Sequence, residues 1–232
     1  MMKMIIYMKI KHHSIFNNLN SDKINWNQIR NDPNEEQYFI PKEKVEYIKQ
    51  ATYQNSYKEI ISEILAITDQ FKTKTIFSLG SGRAYLEYGL KQKNFSIEIS
   101  DSDESIDIIK EFNIFDKVHK LTFNEILPKV RNFNGLILMS RIDTELSDDE
   151  LIAMFNSMAK NKVKYIFFIP AQLLTIQALI IEIYIRIKSK LFKKKLVFCG
   201  YSRTRNLFIK MWGKHYKASQ TKNSKSFFLE LR

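Results

Sequence analysis

The stretch 75-TIFSLGSGRAYLEYGL-90 holds three of the chain's six glycines, two of them one residue apart directly after an apolar run. A short apolar run stopped by glycine reads as a buried strand, and RAYLEYGLKQ, which follows, resumes the spacing of a helix. A strand that ends in Gly-x-Gly and opens a helix removes two side chains where the backbone turns tightly and comes close to a ligand. A Walker-type phosphate loop requires G-x-x-x-x-G-K-[ST], and no such lysine follows Gly80 or Gly82. A dinucleotide fingerprint requires a third glycine where Tyr85 stands.

Outward from this turn, strand and helix patterns alternate. Upstream, 45-VEYIKQATYQNSYKEIISEILAITDQF-71 carries apolar or aromatic residues on one helical face, Tyr53 and Tyr57 among them. Downstream come the strand NFSIEISD, the helix DESIDIIKEFN, a weak strand VHKLTF and NEILPKV, which Pro128 limits. NGLILMS, SDDELIAMFNSMAK and VKYIFFIP then read as strand, helix and strand. This alternation predicts an α/β fold with a parallel sheet and helices on both faces. In residues 171–195 the core IEIYIRIK alternates like a half-buried strand, but the lack of Gly and Pro favours a long helix, inserted before the helix SRTRNLFIKMWG, which is opened by Ser202 or Thr204 and closed at Gly213. KHYKASQ and SFFLELR form an expected terminal hairpin. The expected organisation is an irregular N-terminal arm over residues 1–44, rich in Asn and with Pro33 and Pro41, and a domain over 45–232.

The 232 residues suffice for a sizeable core, and no run of eighteen is free of charge, which argues against a membrane-spanning helix. The opening residues lack a small-residue cleavage site, and the single cysteine, Cys199, cannot form an internal disulfide. The expectation is a cytoplasmic protein without a metal. None of the four histidines has a visible acid partner in the sequence. The formal charge is +12, and from Arg186 to Arg205 there are eight Lys/Arg and no acid, a segment that suits phosphates on nucleic acid or lipid, or a solvated face.

Around the turn, Ser78-Leu79-Gly80-Ser81-Gly82-Arg83-Ala84 resembles the first motif of the class I S-adenosylmethionine-dependent methyltransferases, an acidic residue and an apolar one followed by G-x-G-x-G; here Ser78 replaces the acid and Ala84 the third glycine. The family typically ends its second strand with an acid that accepts hydrogen bonds from both ribose hydroxyls, and Asp101 stands twenty-one residues past Gly80, with Glu98 the alternative. The other reading of Asp101 is a helix cap near Ser102. FNGLILMSRIDTELSDDELIAMFNSMAK looks like the family's fourth strand, loop and helix, which would put Ser140 and Arg141 at the ligand edge. The resemblance covers about residues 50 to 232 and implies a doubly wound, mostly parallel seven-stranded sheet that closes with an antiparallel hairpin.

It further implies S-adenosylmethionine as cofactor, held by Ser78, Gly80, Ser81, Gly82, Asp101, Ser102, Asn124 and Ser140, with Asn124 or Glu125 serving the adenine. Tyr57, Arg141, Tyr201 and Arg203 are the candidates for the methyl acceptor. Methyl transfer from a sulfonium requires alignment more than a base, so no catalytic residue is assigned. The proline motif of amino-methylating nucleic-acid enzymes is absent after LMSRID, and Cys199 lies far from a pyrimidine-enzyme nucleophile position. The expected acceptor is therefore a hydroxyl, amine or carboxylate on a small molecule, sugar or lipid. FCGYSRTRNLF and the 171–195 insertion are similar to methyltransferases of surface-polysaccharide or small-metabolite pathways. The insertion is read as a core, dimer or lid helix, with peripheral membrane contact the competing reading. An inactive cofactor-binding partner protein and an RNA-directed methyltransferase are the alternative functions.

Overall fold

The computed structural model describes residues 7–16, 22–30, 32–144, 146–221 and 225–232. In chain order the elements are β1 (Lys9–Ser14), α1 (Trp26–Arg30), α2 (Lys44–Thr52), α3 (Lys58–Gln70), β2 (Thr75–Leu79), α4 (Tyr85–Lys91), β3 (Ser96–Asp101), α5 (Ser105–Glu111) and β4 (Lys117–Lys120). There follow α6 (Phe123–Ile126), β5 (Leu136–Ser140), α7 (Asp148–Lys160), β6 (Tyr165–Ile169), α8 (Ile176–Leu191), β7 (Val197–Arg203), α9 (Arg205–Trp212), β8 (Tyr216–Gln220) and β9 (Phe227–Leu231). Short 3₁₀ turns cover Pro33–Tyr38 and Asn55–Tyr57.

These elements form two compact units. The larger is made of residues 40–140, 154–169 and 215–232 and contains a seven-stranded sheet in the order β4-β3-β2-β5-β6-β9-β8. Pairing is parallel from β4 to β6 and antiparallel for β6 with β9 and for β9 with β8. The sheet is thus the mostly parallel, doubly wound one with a terminal hairpin that the sequence predicts. Central strands are covered on both faces, which is why TIFSL, LILMS and YIFFI are near-continuous apolar runs. Ile76 pairs with Ile97 on one side and Leu136 on the other, and Phe167 lies between Leu138 and Phe228 in the ladder. Strand order reverses between β2 and β5, so this unit's topological switch point lies at the carboxyl ends of those two strands.

The helical stretch expected over 45–71 is two helices. The break runs from Tyr53 to Tyr57 and includes the 3₁₀ turn Asn55–Tyr57. In α2, Tyr47 is fully buried against Tyr85, Tyr88 and Phe112, and its hydroxyl donates to the Arg83 carbonyl at 2.9 Å. That bond supports the glycine turn from behind.

The second unit comprises residues 1–39, 141–153 and 170–214. It differs from the expected arm: Lys9–Ser14 is a strand, antiparallel to β7, with a register shift between His12 and His13. KIKHHS is too polar to read as a strand alone, and its partner lies almost two hundred residues away. The strand β7 was hidden by Gly200, whose φ of +125° and close approach to the Thr144 carbonyl exclude a side chain. Cys199 is buried beside Ile29 and Val197. The expected long helix is α8, capped by Thr175 Oγ1, which accepts from the Ala178 N–H at 3.1 Å. Among the described residues no helix is long and apolar enough to cross a membrane.

Candidate functional site

The glycine turn sits at the carboxyl end of β2 in the sheet unit. Gly80, Gly82 and Ala84 have φ of +62°, +55° and +52°, so every second residue from 80 to 84 is left-handed. Glycine takes this conformation without cost, whereas Ala84 takes it at some expense as the N-cap of α4. The turn is tied to β3 at two points. The Ser81 N–H donates to the Ser100 carbonyl at 3.0 Å, and the Gly82 N–H donates to Asp101 Oδ2 at 2.7 Å. Asp101 Oδ1 accepts from the Asp103 N–H at 3.0 Å. Asp101 therefore ties the turn to the residues ahead of α5, whose first N–H, that of Ser105, donates to Asp103 Oδ1 at 2.8 Å and not to Asp101.

Two features of the turn face no protein partner. Ser81 Oγ is buried and finds no hydrogen-bond partner among the described residues. A Cβ built on Gly82 would meet nothing within 4 Å. A buried hydroxyl without a partner beside open space and a carboxylate fits a polar ligand with its own donors, such as an amino acid end or a ribose diol.

Ser78 departs from its expected place. It is 0% exposed, and its hydroxyl donates to Glu87 Oε1 at 2.6 Å while its carbonyl accepts from Ser100 Oγ at 2.9 Å. Its side chain is directed into the core rather than at a ligand. Its partner Glu87, on α4, is a buried carboxyl. Burial, and to a lesser degree the charge of Asp101, pushes its carboxyl up to about 7, against the Ser78 hydrogen bond that lowers it. Sequence reading missed Glu87, and the available signal was an acid within the otherwise buried run from Tyr85 to Leu90.

Ser102 and Asn124 are exposed, after β3 and in the first turn of α6, and Ser140 is half-buried as the last residue of β5. Glu125, the alternative to Asn124, is occupied: its Oε2 accepts from the Thr122 N–H at 2.8 Å and from Thr122 Oγ1 at 2.6 Å in a capping box. Glu98 faces away from the turn and holds Lys117 at 2.9 Å and His119 at 3.0 Å, which gives His119 the acid partner not visible in the sequence. Tyr57 is half-buried and packs on the core of the sheet unit.

The remaining acceptor candidates belong to the second unit. Arg141 is exposed and left-handed, with φ of +61°. Tyr201 carries Lys9 Nζ at 4.8 Å and the Arg203 guanidinium at 5.1 Å from its ring centre. Arg203 is a correction to the expected acceptor contact. It is 0% exposed, donates from Nε to Asp148 Oδ1 at 2.8 Å and from Nη1 to the Asp143 carbonyl at 3.1 Å, and also donates to the Leu146 carbonyl. With its donors spent inside, it holds the 143–148 loop against β7. In that loop Asp143 Oδ1 accepts from the Ala171 N–H at 2.8 Å, Oδ2 has no partner among the described residues, and burial pushes the carboxyl up to about 6. Among the described residues no group of His, Cys, Asp and Glu could hold a metal ion.

No family model matches the sequence, and no curated protein matches it. Solved structures do match in shape. Human N-acetylserotonin methyltransferase, solved in complex with SAM, superposes with a TM-score of 0.53 at 14% identity, over 90% of this chain and 63% of its own. Magnesium protoporphyrin IX methyltransferase from Synechocystis PCC 6803, with bound SAH, gives 0.54 at 13%, over 88% of this chain and 91% of its own. The pyocyanin biosynthetic protein PhzM gives 0.60 at 10%, over 89% and 61%. The chain thus spans less than two thirds of two of these three proteins. At such identities it is the fold that is shared, and the fold of this chain is that of the class I S-adenosylmethionine-dependent methyltransferases.

Proposed function

We propose that this protein binds S-adenosylmethionine and transfers its methyl group to a hydroxyl, amine or carboxylate on a small molecule, a sugar or a lipid-linked acceptor. The observation that carries the reading is the 2.7 Å bond between Gly82 N–H and Asp101 Oδ2, which keeps the glycine turn and a strand-end carboxylate together at the topological switch point of the sheet. When bound, the cofactor supplies an electrophilic methyl group on a sulfonium.

The chain's own contribution is placement. Asp101 keeps lone pairs beyond its two backbone bonds and would accept from the ribose diol. Ser81 Oγ would bond the amino acid end, and the open side of Gly82 would let the ligand lie against backbone. Ser102 and Asn124 would flank the nucleoside, and Ser140 would meet the acceptor at the end of β5. In-line displacement gains most of its rate from such alignment and from exclusion of water, so a dedicated base is not required for an acceptor that attacks unprotonated. The N-acetylserotonin and protoporphyrin enzymes named above support a small-molecule acceptor by likeness of fold alone.

Titration calorimetry with S-adenosylmethionine and with S-adenosylhomocysteine tests the proposal. Both should bind the folded protein saturably. A folded sample that gives no heat with either ligand at millimolar concentration overturns it.

A further inference from the structure

Helix α8 is folded with its apolar side outward. Its inward stripe is Ala178, Glu182, Ile185 and Ser189, and three of these four are buried. Glu182 is well satisfied there: Oε2 accepts from the His13 N–H at 2.9 Å, while Oε1 lies 2.7 Å from both His13 Nδ1 and Arg186 Nε. The opposite stripe, Ile176, Ile180, Ile183, Ile187 and Leu191, repeats at helical spacing and is 49–80% exposed throughout. A surface helix ordinarily shows the reverse arrangement, and a continuous outward stripe of this kind marks an interaction surface.

The charges beside the stripe select its partner. At 100° per residue, Lys188 and Lys190 fall on opposite flanks of the isoleucine stripe, and Lys193 follows at the helix end. The one acid between Pro170 and Arg205 is the buried Glu182. A second copy of the helix would cover the isoleucines but not answer the charge. Packed parallel, it would set lysine against lysine; packed antiparallel, it would set the basic end against Thr175–Leu179, which has no acid. A nucleic acid would answer the lysines and leave the isoleucines in water. A lipid surface with anionic headgroups answers both, because the stripe enters the acyl boundary while the flanking lysines reach phosphate. The sixteen-residue helix is about 24 Å long, shorter than a bilayer span.

We propose that α8 is an interfacial anchor that docks this protein on an anionic membrane, lying in the plane of the headgroups with the Ile176–Leu191 stripe downward and Lys188, Lys190 and Lys193 at its flanks and end. The contact does not depend on the cofactor reading, and its measurement needs no cofactor.

Co-sedimentation with vesicles tests it. Vesicles of phosphatidylcholine and phosphatidylglycerol in about a three-to-one ratio should retain the full chain at physiological salt, and phosphatidylcholine alone should bind it about tenfold or more weakly. The double variant Ile180→Glu/Ile187→Glu should lose retention. Lys188→Glu/Lys190→Glu/Lys193→Glu should weaken it about tenfold or more and leave weak residual binding from the isoleucines. Both variants change exposed side chains, so their thermal midpoints should match the parent. Failure of the parent to bind anionic vesicles overturns the proposal, as does equal retention of the Ile180→Glu/Ile187→Glu protein. A dimer in size-exclusion chromatography that Ile180→Glu/Ile187→Glu dissolves, with no vesicle binding, overturns it in favour of a second copy.

Discussion

Glu87 is a buried carboxyl that accepts from the Ser78 hydroxyl at 2.6 Å, and its burial has a measurable consequence. The folded state holds this carboxyl near 7 against an ordinary 4.5, so folding favours the protonated form. Its contribution is complete below about 4.5 and is lost as pH rises to about 7. Glu87→Gln keeps an oxygen for the Ser78 hydroxyl and cannot ionise. The variant should match the parent at pH 4.5 and exceed it by about 3 kcal/mol at pH 8, read from urea midpoints; parallel curves across that range would exclude a buried titrating carboxyl. At the turn, Gly82→Ala should cost only about 1–2 kcal/mol of stability, the expense of a left-handed alanine, because the added methyl meets no protein atom. It should lower affinity for S-adenosylmethionine at least tenfold, since the methyl enters the space proposed for the ligand. Unchanged affinity would move the ligand elsewhere. Asp101→Asn should weaken binding by about 1–3 kcal/mol and also lower the thermal midpoint, because an amide cannot accept from both the Gly82 and Asp103 N–H groups without turning its NH₂ toward one of them. Binding that survives this change would sink the diol role.

Elements extend these arguments over longer distances. The strand β7 and the 143–148 loop are held by one guanidinium, which bonds a carboxylate and two carbonyls from a fully buried position. Arg203→Met should destabilise the protein by about 2–5 kcal/mol, because two loop carbonyls lose their donor at about 1–3 kcal/mol each, while Asp148 keeps Lys9 at 3.0 Å. Arg203→Lys should restore only part of the loss, since an ammonium lacks the planar fork that reaches all three acceptors. A parent-like denaturation midpoint for Arg203→Met would show that the residue is free for a substrate after all. The central strands needed no such contact to be found. Their apolar runs announced burial on both faces, and the glycine at the end of β2 announced the turn. The pair β1–β7 was not legible, because KIKHHS is polar and Gly200 interrupts its partner, and only the ladder between them makes either a strand.

On the scale of the molecule, local text and long-range pairing contributed different things. Alternating strand and helix signals from Thr75 to Ile169, with a terminal hairpin, determined the α/β class, because each pattern reports how its own segment is buried. The same text located the glycine turn and Asp101, since a left-handed turn and a strand-end acid are local features. What the sequence could not decide is which residues distant in the chain meet. Lys9–Ser14 pairs with β7, nearly two hundred residues on, where the sequence suggests only an irregular arm. Ser78 and Glu87 meet only when α4 packs on β2, and Arg203 is withdrawn from solvent only when three acceptors of one loop close around it. The absence of Gly and Pro by itself favoured a helix with a basic end within residues 171–195, and the helix runs over Ile176–Leu191. Tertiary structure alone decided that its polar stripe turns inward, where Glu182 finds His13 and Arg186, and that its isoleucines are left outside; a helix apolar on most of its circumference has no local preference for which side to bury, and the partners of one buried acid settle it.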